Sequence, residues 1–183
     1  MARISYPTNL SPETADLLRR NGSLNVNLMM AHALPILDGF SKLGRGILRK
    51  GKLDPSLREL AILRVGVRCR SDYEWHQHVD FARAVGTREE AIQAVRNNDL
   101  SALTEIERVI VDFADEFVGD HEVSPETLAR ADRSLDAERL VELTITCGYY
   151  VMTAGFLKTF AVDIESSPPL GATVAADLRA RKP

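Results

Sequence analysis

The amino-acid sequence predicts an all-α, single-domain protein, and three observations carry that prediction. Helix-start signals recur along the chain, apolar residues fall at spacings of three and four, and no segment alternates long enough to demand a strand. Ser11-Pro12-Glu13 opens the first helix, predicted over 12–20: the serine hydroxyl caps, and proline at the first helical position needs no amide hydrogen. It ends at Asn21-Gly22. Helices over 26–33 and 36–49 follow, with Met29, Met30 and Leu34 read as core residues that also suit a substrate mouth.

Asp54-Pro55 repeats the start signal for a helix over 55–68, in which Leu57, Leu60, Ala61 and Val65 form one stripe. Ser71 with Glu74 has capping-box spacing for 72–85, and Gly86 suits the left-handed residue that closes that helix. Thr87 with Glu90 gives the same signal for 88–97, and Thr104 with Glu107 for 104–119, where Ile106, Ile110, Phe113 and Phe117 share a face. Ser124-Pro125 starts 125–133, and Asp136 caps 137–162. In this last helix Val141, Ile145, Tyr149, Met152 and Phe156 recur at three or four among other apolar residues, so it is expected to be buried in the core or between subunits. Residues 166–183 read as a loop with two prolines and a C-terminal tail.

Composition narrows the function classes. At 183 residues, 45% of them hydrophobic, the chain holds one ordinary globular domain rather than a disordered segment. A net charge of −3, with basic residues scattered among acids, gives no field for phosphate backbones, so no nucleic-acid partner is expected. The apolar stretch Val141–Val162 is interrupted by Glu142, Thr144, Thr146, Lys158 and Thr159 and reads as a core helix, not a membrane span. With no basic-then-apolar leader, the expectation is a soluble cytoplasmic protein. Cys69 and Cys147, far apart in sequence, are expected as free thiols, Cys147 as a packing residue. His76 and His78 diverge by about 200° on a helix and cannot easily share an ion, so no metal or other cofactor is expected.

The chemistry-bearing segment is Leu57-Arg58-Glu59-Leu60-Ala61-Ile62-Leu63-Arg64-Val65, followed by Ser71, Tyr73-Glu74-Trp75 and His78. Together with Tyr150, Met152, Ala154, Leu157, Lys158 and Phe160, it resembles the carboxymuconolactone decarboxylase and alkylhydroperoxidase D superfamily over about residues 38–165. The resemblance implies an all-helical domain that assembles into dimers, trimers or hexamers. In alkylhydroperoxidase D members a Cys-x-x-Cys-x-x-x-His motif reduces peroxides, and a glutamate one helix earlier relays protons with the histidine. On that alignment the thiol positions fall on Ser71 and Glu74, while Glu59 and His78 keep the relay. The two-thiol cycle is unavailable to such a chain.

Glu59, Glu74 and His78 are therefore the candidate catalytic residues, with Ser71 as a neighbouring hydroxyl donor. Glu74 and His78, four apart, share a helix face, and a carboxylate beside an imidazole equips it for acid–base work next to a carbonyl. Tyr73 and Trp75 are candidate substrate-binding walls. Each has a bland alternative: Glu74 as a capping residue, Glu59 as a solvated first-turn acid, His78 as a satisfied core histidine. His32 and His121 are assigned nothing. The leading expectation is a cofactor-independent, decarboxylase-type lyase acting on a small organic acid or lactone. The alternatives are a peroxiredoxin-like antioxidant working through Cys69, and a non-catalytic helical oligomer that binds a ligand.

Overall fold

A computed structural model describes residues 1–22 and 24–166. Among them run nine α-helices: α1 (Pro12–Asn21), α2 (Asn25–Met30), α3 (Leu34–Arg49), α4 (Pro55–Arg68), α5 (Asp72–Val85), α6 (Glu89–Asn97), α7 (Glu105–Asp120), α8 (Pro125–Asp132) and α9 (Ala137–Phe160). The described residues contain no strand. Apart from Ser166, the expected loop and tail at 166–183 lie outside the described residues.

The start signals act as local chemistry requires. Ser11, Asp54, Ser124 and Asp136 each accept a hydrogen bond from a first-turn amide of α1, α4, α8 and α9. Thr104 and Glu107 form the full reciprocal box on α7. Two expected boxes do not form. Arg88, not Thr87, precedes α6, because the Thr87 hydroxyl donates to the Ser56 carbonyl at 3.3 Å instead. Ser71 accepts from the Glu74 amide, but the Glu74 carboxylate turns inward rather than back to the cap. A 3-10 turn at Leu100–Ala102, held by Asp99, was too short to leave a periodic signal.

α4 is the hub, packed against α5, α6, α7 and α9. Its residues Arg58–Gly66 are all buried, so α4 is enclosed on every side rather than striped. Arg64 links this interior to α7, its Nε and Nη2 each donating to the Asp115 carboxylate at 2.6 Å. α9 corrects the expectation in the other direction. By length and composition it is apolar enough to cross a bilayer, yet Leu143, Cys147 and Ala154 are fully buried against the bundle. Its other face leaves Val141 62% and Met152 53% exposed, so within one chain it is a half-buried helix.

The junction between α4 and α5 sets the site. Arg70 adopts a left-handed φ of 53°, and its amide bonds to the Val67 carbonyl while the Ser71 amide bonds to that of Gly66. This is a Schellman closure, and its last residue is already the N-cap of α5, so α5 turns straight back along α4. Gly66 allows the approach: a Cβ there would stand 3.3 Å from the Glu74 Cβ. At the other end of the chain, Asp163 accepts from the Ala2 amide, and Glu165 accepts from the Asn25 amide and Gln77, tying the segment after α9 to α2 and α5.

A left-handed residue other than glycine costs roughly 1–2 kcal/mol, against about 0.5–1 kcal/mol of extra chain entropy for glycine. Arg70→Gly should therefore raise the unfolding free energy by about 0.5–1 kcal/mol in urea titrations. Destabilisation would show that the Arg70 side chain contributes more than its backbone costs.

Candidate active site

Because α5 runs back along α4, Glu59 on α4 meets His78 on α5 inside the bundle. Glu59 is 0% exposed, a position that an isolated carboxylate cannot hold. Its neighbours answer the charge. Arg58 folds over it, Nε and Nη2 donating to Oε1 at 3.1 and 3.0 Å, while His78 Nδ1–H donates to Oε2 at 2.8 Å. The Arg58 guanidinium in turn lies 5.7 Å from the centre of the Phe81 ring. A carboxylate only accepts, so the bond fixes the proton of neutral His78 on Nδ1 and leaves Nε2 as its open position.

Glu74 stands on the open side. Its Oε2 is 3.8 Å from His78 Nε2, too long for a hydrogen bond, and its buried Oε1 has no hydrogen-bond partner. Burial pushes the Glu74 carboxyl up to about 7, against the opposing pull of His78. Burial also works against a charged His78, but the Glu59 carboxylate outweighs it and holds the imidazole above its ordinary value. Two carboxyl groups thus flank one imidazole, one paired and one not.

Glu74 and His78 border a cavity of about 140 Å³, with Glu59 behind the imidazole. Glu74, Gln77 and His78 line it from α5, and Tyr149 and Tyr150 from α9. Tyr150 packs edge-on to His78 at 4.9 Å and edge-on to Tyr149 at 5.2 Å, and Tyr149 stacks on Phe40 of α3 at 4.5 Å. Burial raises the Tyr150 hydroxyl well above its usual range, so it stays protonated and can donate. Tyr149 reaches the Phe40 carbonyl at 3.3 Å only because residue 44 is glycine: a Cβ there would lie 2.7 Å from the tyrosine oxygen.

The sequence candidates divide. Glu59, Glu74 and His78 come together, and Tyr73 lines the cavity, its hydroxyl donating to Glu165. Ser71 does not line it: as the N-cap of α5, its oxygen is directed at the Glu74 amide, which corrects its reading as a hydroxyl donor at the reacting groups. Trp75 is likewise no cavity wall, because it packs with the apolar cluster of α4 and α6 beneath Arg96, 4.6 Å away. Cys69 caps the end of α4 outside the cavity lining, and burial pushes its half-buried thiol up. Burial pushes the Cys147 thiol up to about 12, as suits a packing residue. No group of three metal-ligating side chains occurs among the described residues. Tyr149, Ser41, Asn21 and Arg45 were missed because they reach the cavity from helices distant in sequence, and Gln77, on α5 itself, because it carries no motif; Tyr150, within the late motif, carried a sequence signal.

The model of the carboxymuconolactone decarboxylase family matches residues 35–116. The fold is similar to that of an alkylhydroperoxidase-core, peroxidase-related protein from Ralstonia eutropha JMP134, with 18% identity, a TM-score of 0.77 and coverage of 90% of this chain and 93% of that one. A peroxidase-related protein from Silicibacter sp. TM1040 is similar at 16% identity and a TM-score of 0.77, covering 90% and 92%. Residues 35–116 thus carry the carboxymuconolactone decarboxylase family pattern, and the fold is alkylhydroperoxidase D-like. No curated protein sequence matches it. A third similar structure is the debrominase Bmp8, a cysteine-to-alanine variant in complex with 2,3,4-tribromopyrrole, at 15% identity and a TM-score of 0.72, covering 97% of this chain and all of that one.

The site predicts an unusual pH dependence of stability. Folded Glu74 titrates near 7, above its ordinary 4.5, so the native state holds the extra proton between those values and stability falls as pH rises through them. His78, also raised, contributes stability that is complete below its unfolded value and lost as pH rises through its folded one. Urea titrations from about pH 5 to about pH 8 should show declining stability, and Glu74→Gln should flatten part of that slope. A level wild-type profile would mean these groups are solvated.

Proposed function

We propose that the chain is a cofactor-independent acid–base enzyme of the carboxymuconolactone decarboxylase type, acting on a small organic acid or lactone. The observation that carries this reading is the Glu59–His78 hydrogen bond of 2.8 Å beside an unpartnered Glu74 carboxyl, at the edge of a cavity. Glu59 holds the imidazole in one tautomer, so Nε2 is the base toward a proton on a carbon next to a carbonyl. In a decarboxylation, the electrons of the breaking carbon–carbon bond pass into that carbonyl as carbon dioxide leaves. The Tyr150 hydroxyl and the Glu74 carboxyl supply hydrogen-bond donors for the enolate, and the protonated His78 imidazole gives its Nε2 proton to the carbon that lost carbon dioxide, which completes the reaction.

The cavity limits the substrate to about one ring: its volume of about 140 Å³ is close to that of a protein cavity that admits benzene, roughly 150 Å³. The ring-sized tribromopyrrole in the complex of the similarly folded debrominase supports the same scale. An antioxidant role through Cys69 has less support, since the thiol lies outside the cavity lining and burial disfavours its thiolate. A purely ligand-binding role leaves the raised carboxyl of Glu74 beside the imidazole without a use.

We also propose that a second copy of the chain covers the apolar face of α9, as the superfamily resemblance implies. Val141→Glu with Ile145→Glu, both exposed positions, should shift the species seen by analytical ultracentrifugation to monomer. A wild-type monomer at all concentrations would remove this proposal.

Carbon dioxide release should be screened over a panel of lactone acids and β-keto acids. On the substrate found, His78→Gln should lower turnover by about 10²–10⁴-fold, the range for loss of a general base, with an unchanged fold by circular dichroism. Cys69→Ser should retain full activity. Wild-type turnover in His78→Gln would take the histidine out of the mechanism, and loss of activity in Cys69→Ser would return the thiol to it.

A further inference from the structure

The cavity is not uniform from end to end. Ser41, Arg45 and Arg49 follow one another at intervals of four along α3 and all line it. Steps of four residues advance about 6 Å along a helix, so Arg49 stands roughly 12 Å along the axis from Ser41. Phe40, next to Ser41, joins the aromatic contacts through Tyr149 and Tyr150 to His78. The acid–base groups therefore adjoin one end of this row, and the guanidinium groups lie toward the other.

The far end consists of donors. Arg45 Nη1 donates to Asn21 Oδ1, which orients that amide and leaves its Nδ2, buried and without a hydrogen-bond partner, on the same cavity. At the acid–base end of the row, Ser41 is 7% exposed and its Oγ also has no partner, so that end offers a single neutral donor. The Arg49 guanidinium has no ion-pair partner among the described residues. Arg20, at the rim, is already paired with Asp16 at 2.7 Å. Among the described lining residues Glu74 is the one acid, and it belongs to the opposite end. This cationic end is local, for the chain as a whole carries a net charge of −3.

Unpartnered buried donors beside free guanidinium groups match one ligand chemistry, a planar anion with several acceptor lone pairs. We propose that Arg45 and Arg49, with Asn21 Nδ2, form a carboxylate-binding subsite that selects substrates carrying an acid group remote from the reacting carbon. The substrate class is thus a ring or short chain with a carboxylate at the arginine end and an acidic or decarboxylating carbon at the His78 end. A neutral lactone or ester lacks the first of these. The location of the reacting carbon rests on the acid–base reading; the subsite itself does not.

The test is calorimetric titration of the full chain with benzoate and with benzamide, which share a ring and differ in charge. Benzoate should bind at least about tenfold more tightly, the scale of one charge-assisted hydrogen bond, and added salt should weaken benzoate alone. Arg45→Met and Arg49→Met should each erase about tenfold of that preference and leave benzamide unchanged. Arg49 is exposed, so its replacement leaves the fold intact even if that of the half-buried Arg45 does not. Equal affinities, failure of benzoate to bind, or a preference kept in both arginine variants overturns the subsite. A preference lost instead in His78→Gln assigns the anion to the imidazole and overturns it too. If the preference holds in His78→Gln while that variant keeps wild-type turnover, the acid–base assignment falls and the subsite stands.

Discussion

The bond between Glu59 and His78 joins α4 to α5 through the least accessible part of the molecule. Taking a carboxylate, an imidazole and the Arg58 guanidinium out of water together carries a desolvation penalty of several kcal/mol per ion, which their mutual attraction only roughly offsets. Apolar residues of the same volume would hold these helices together at least as well. A buried charged chain of this kind is therefore poorly explained by stability. Its effect is to fix one imidazole in one tautomer with one nitrogen open, and that is a requirement of chemistry rather than of folding.

Such a chain tolerates little slack, and the architecture around it is correspondingly fixed. The Schellman closure at Gly66–Ser71 ends one helix and caps the next within a few residues, so the register of α5 on α4 follows from backbone hydrogen bonds. Gly66 brings the two axes close, and the burial of every residue from Arg58 to Gly66 means that α4 has no exposed side toward which it can roll. Arg64, tied twice to Asp115, fixes the same helix to α7. The position of Glu59 is thus over-determined by contacts on all sides of its helix.

Most of the helices were legible in the sequence because their starts are local events. A serine or aspartate before proline satisfies the first amides whatever the rest of the chain does, and the starts at Pro12, Pro55 and Pro125 coincide with those expected. The meeting of Glu59, Glu74 and His78 was legible through the superfamily spacing. What escaped depended on tertiary packing. Whether α4 is striped or enclosed is decided by α6 and α7, and the half-exposure of α9 by what packs on its other side. Ser71 and Trp75 sit among the right residues in sequence, but one hydroxyl is engaged by an amide of its own helix and one indole faces α6. The cavity floor from α1, α3 and α9 has no sequence motif, since each contributes a few residues at a large chain separation.

The asymmetry between the two carboxyl groups is the feature that turns a buried charge network into a candidate reaction centre. Glu59 has Arg58 on one oxygen and His78 on the other, so both of its oxygens are hydrogen-bonded. Glu74, a few ångströms away on the opposite side of the same ring, has burial without hydrogen-bonded compensation, and its carboxyl is pushed up to about 7. Pairs of titratable groups driven apart by their surroundings divide acid and base roles between them. Here the division follows from placement alone: the arginine adjoins one carboxylate and not the other. The inward turn of Glu74 gives up no hydrogen bond at the start of α5, because the Ser71 amide is already bonded to the Gly66 carbonyl, and it leaves at the cavity a carboxyl pushed up to about 7.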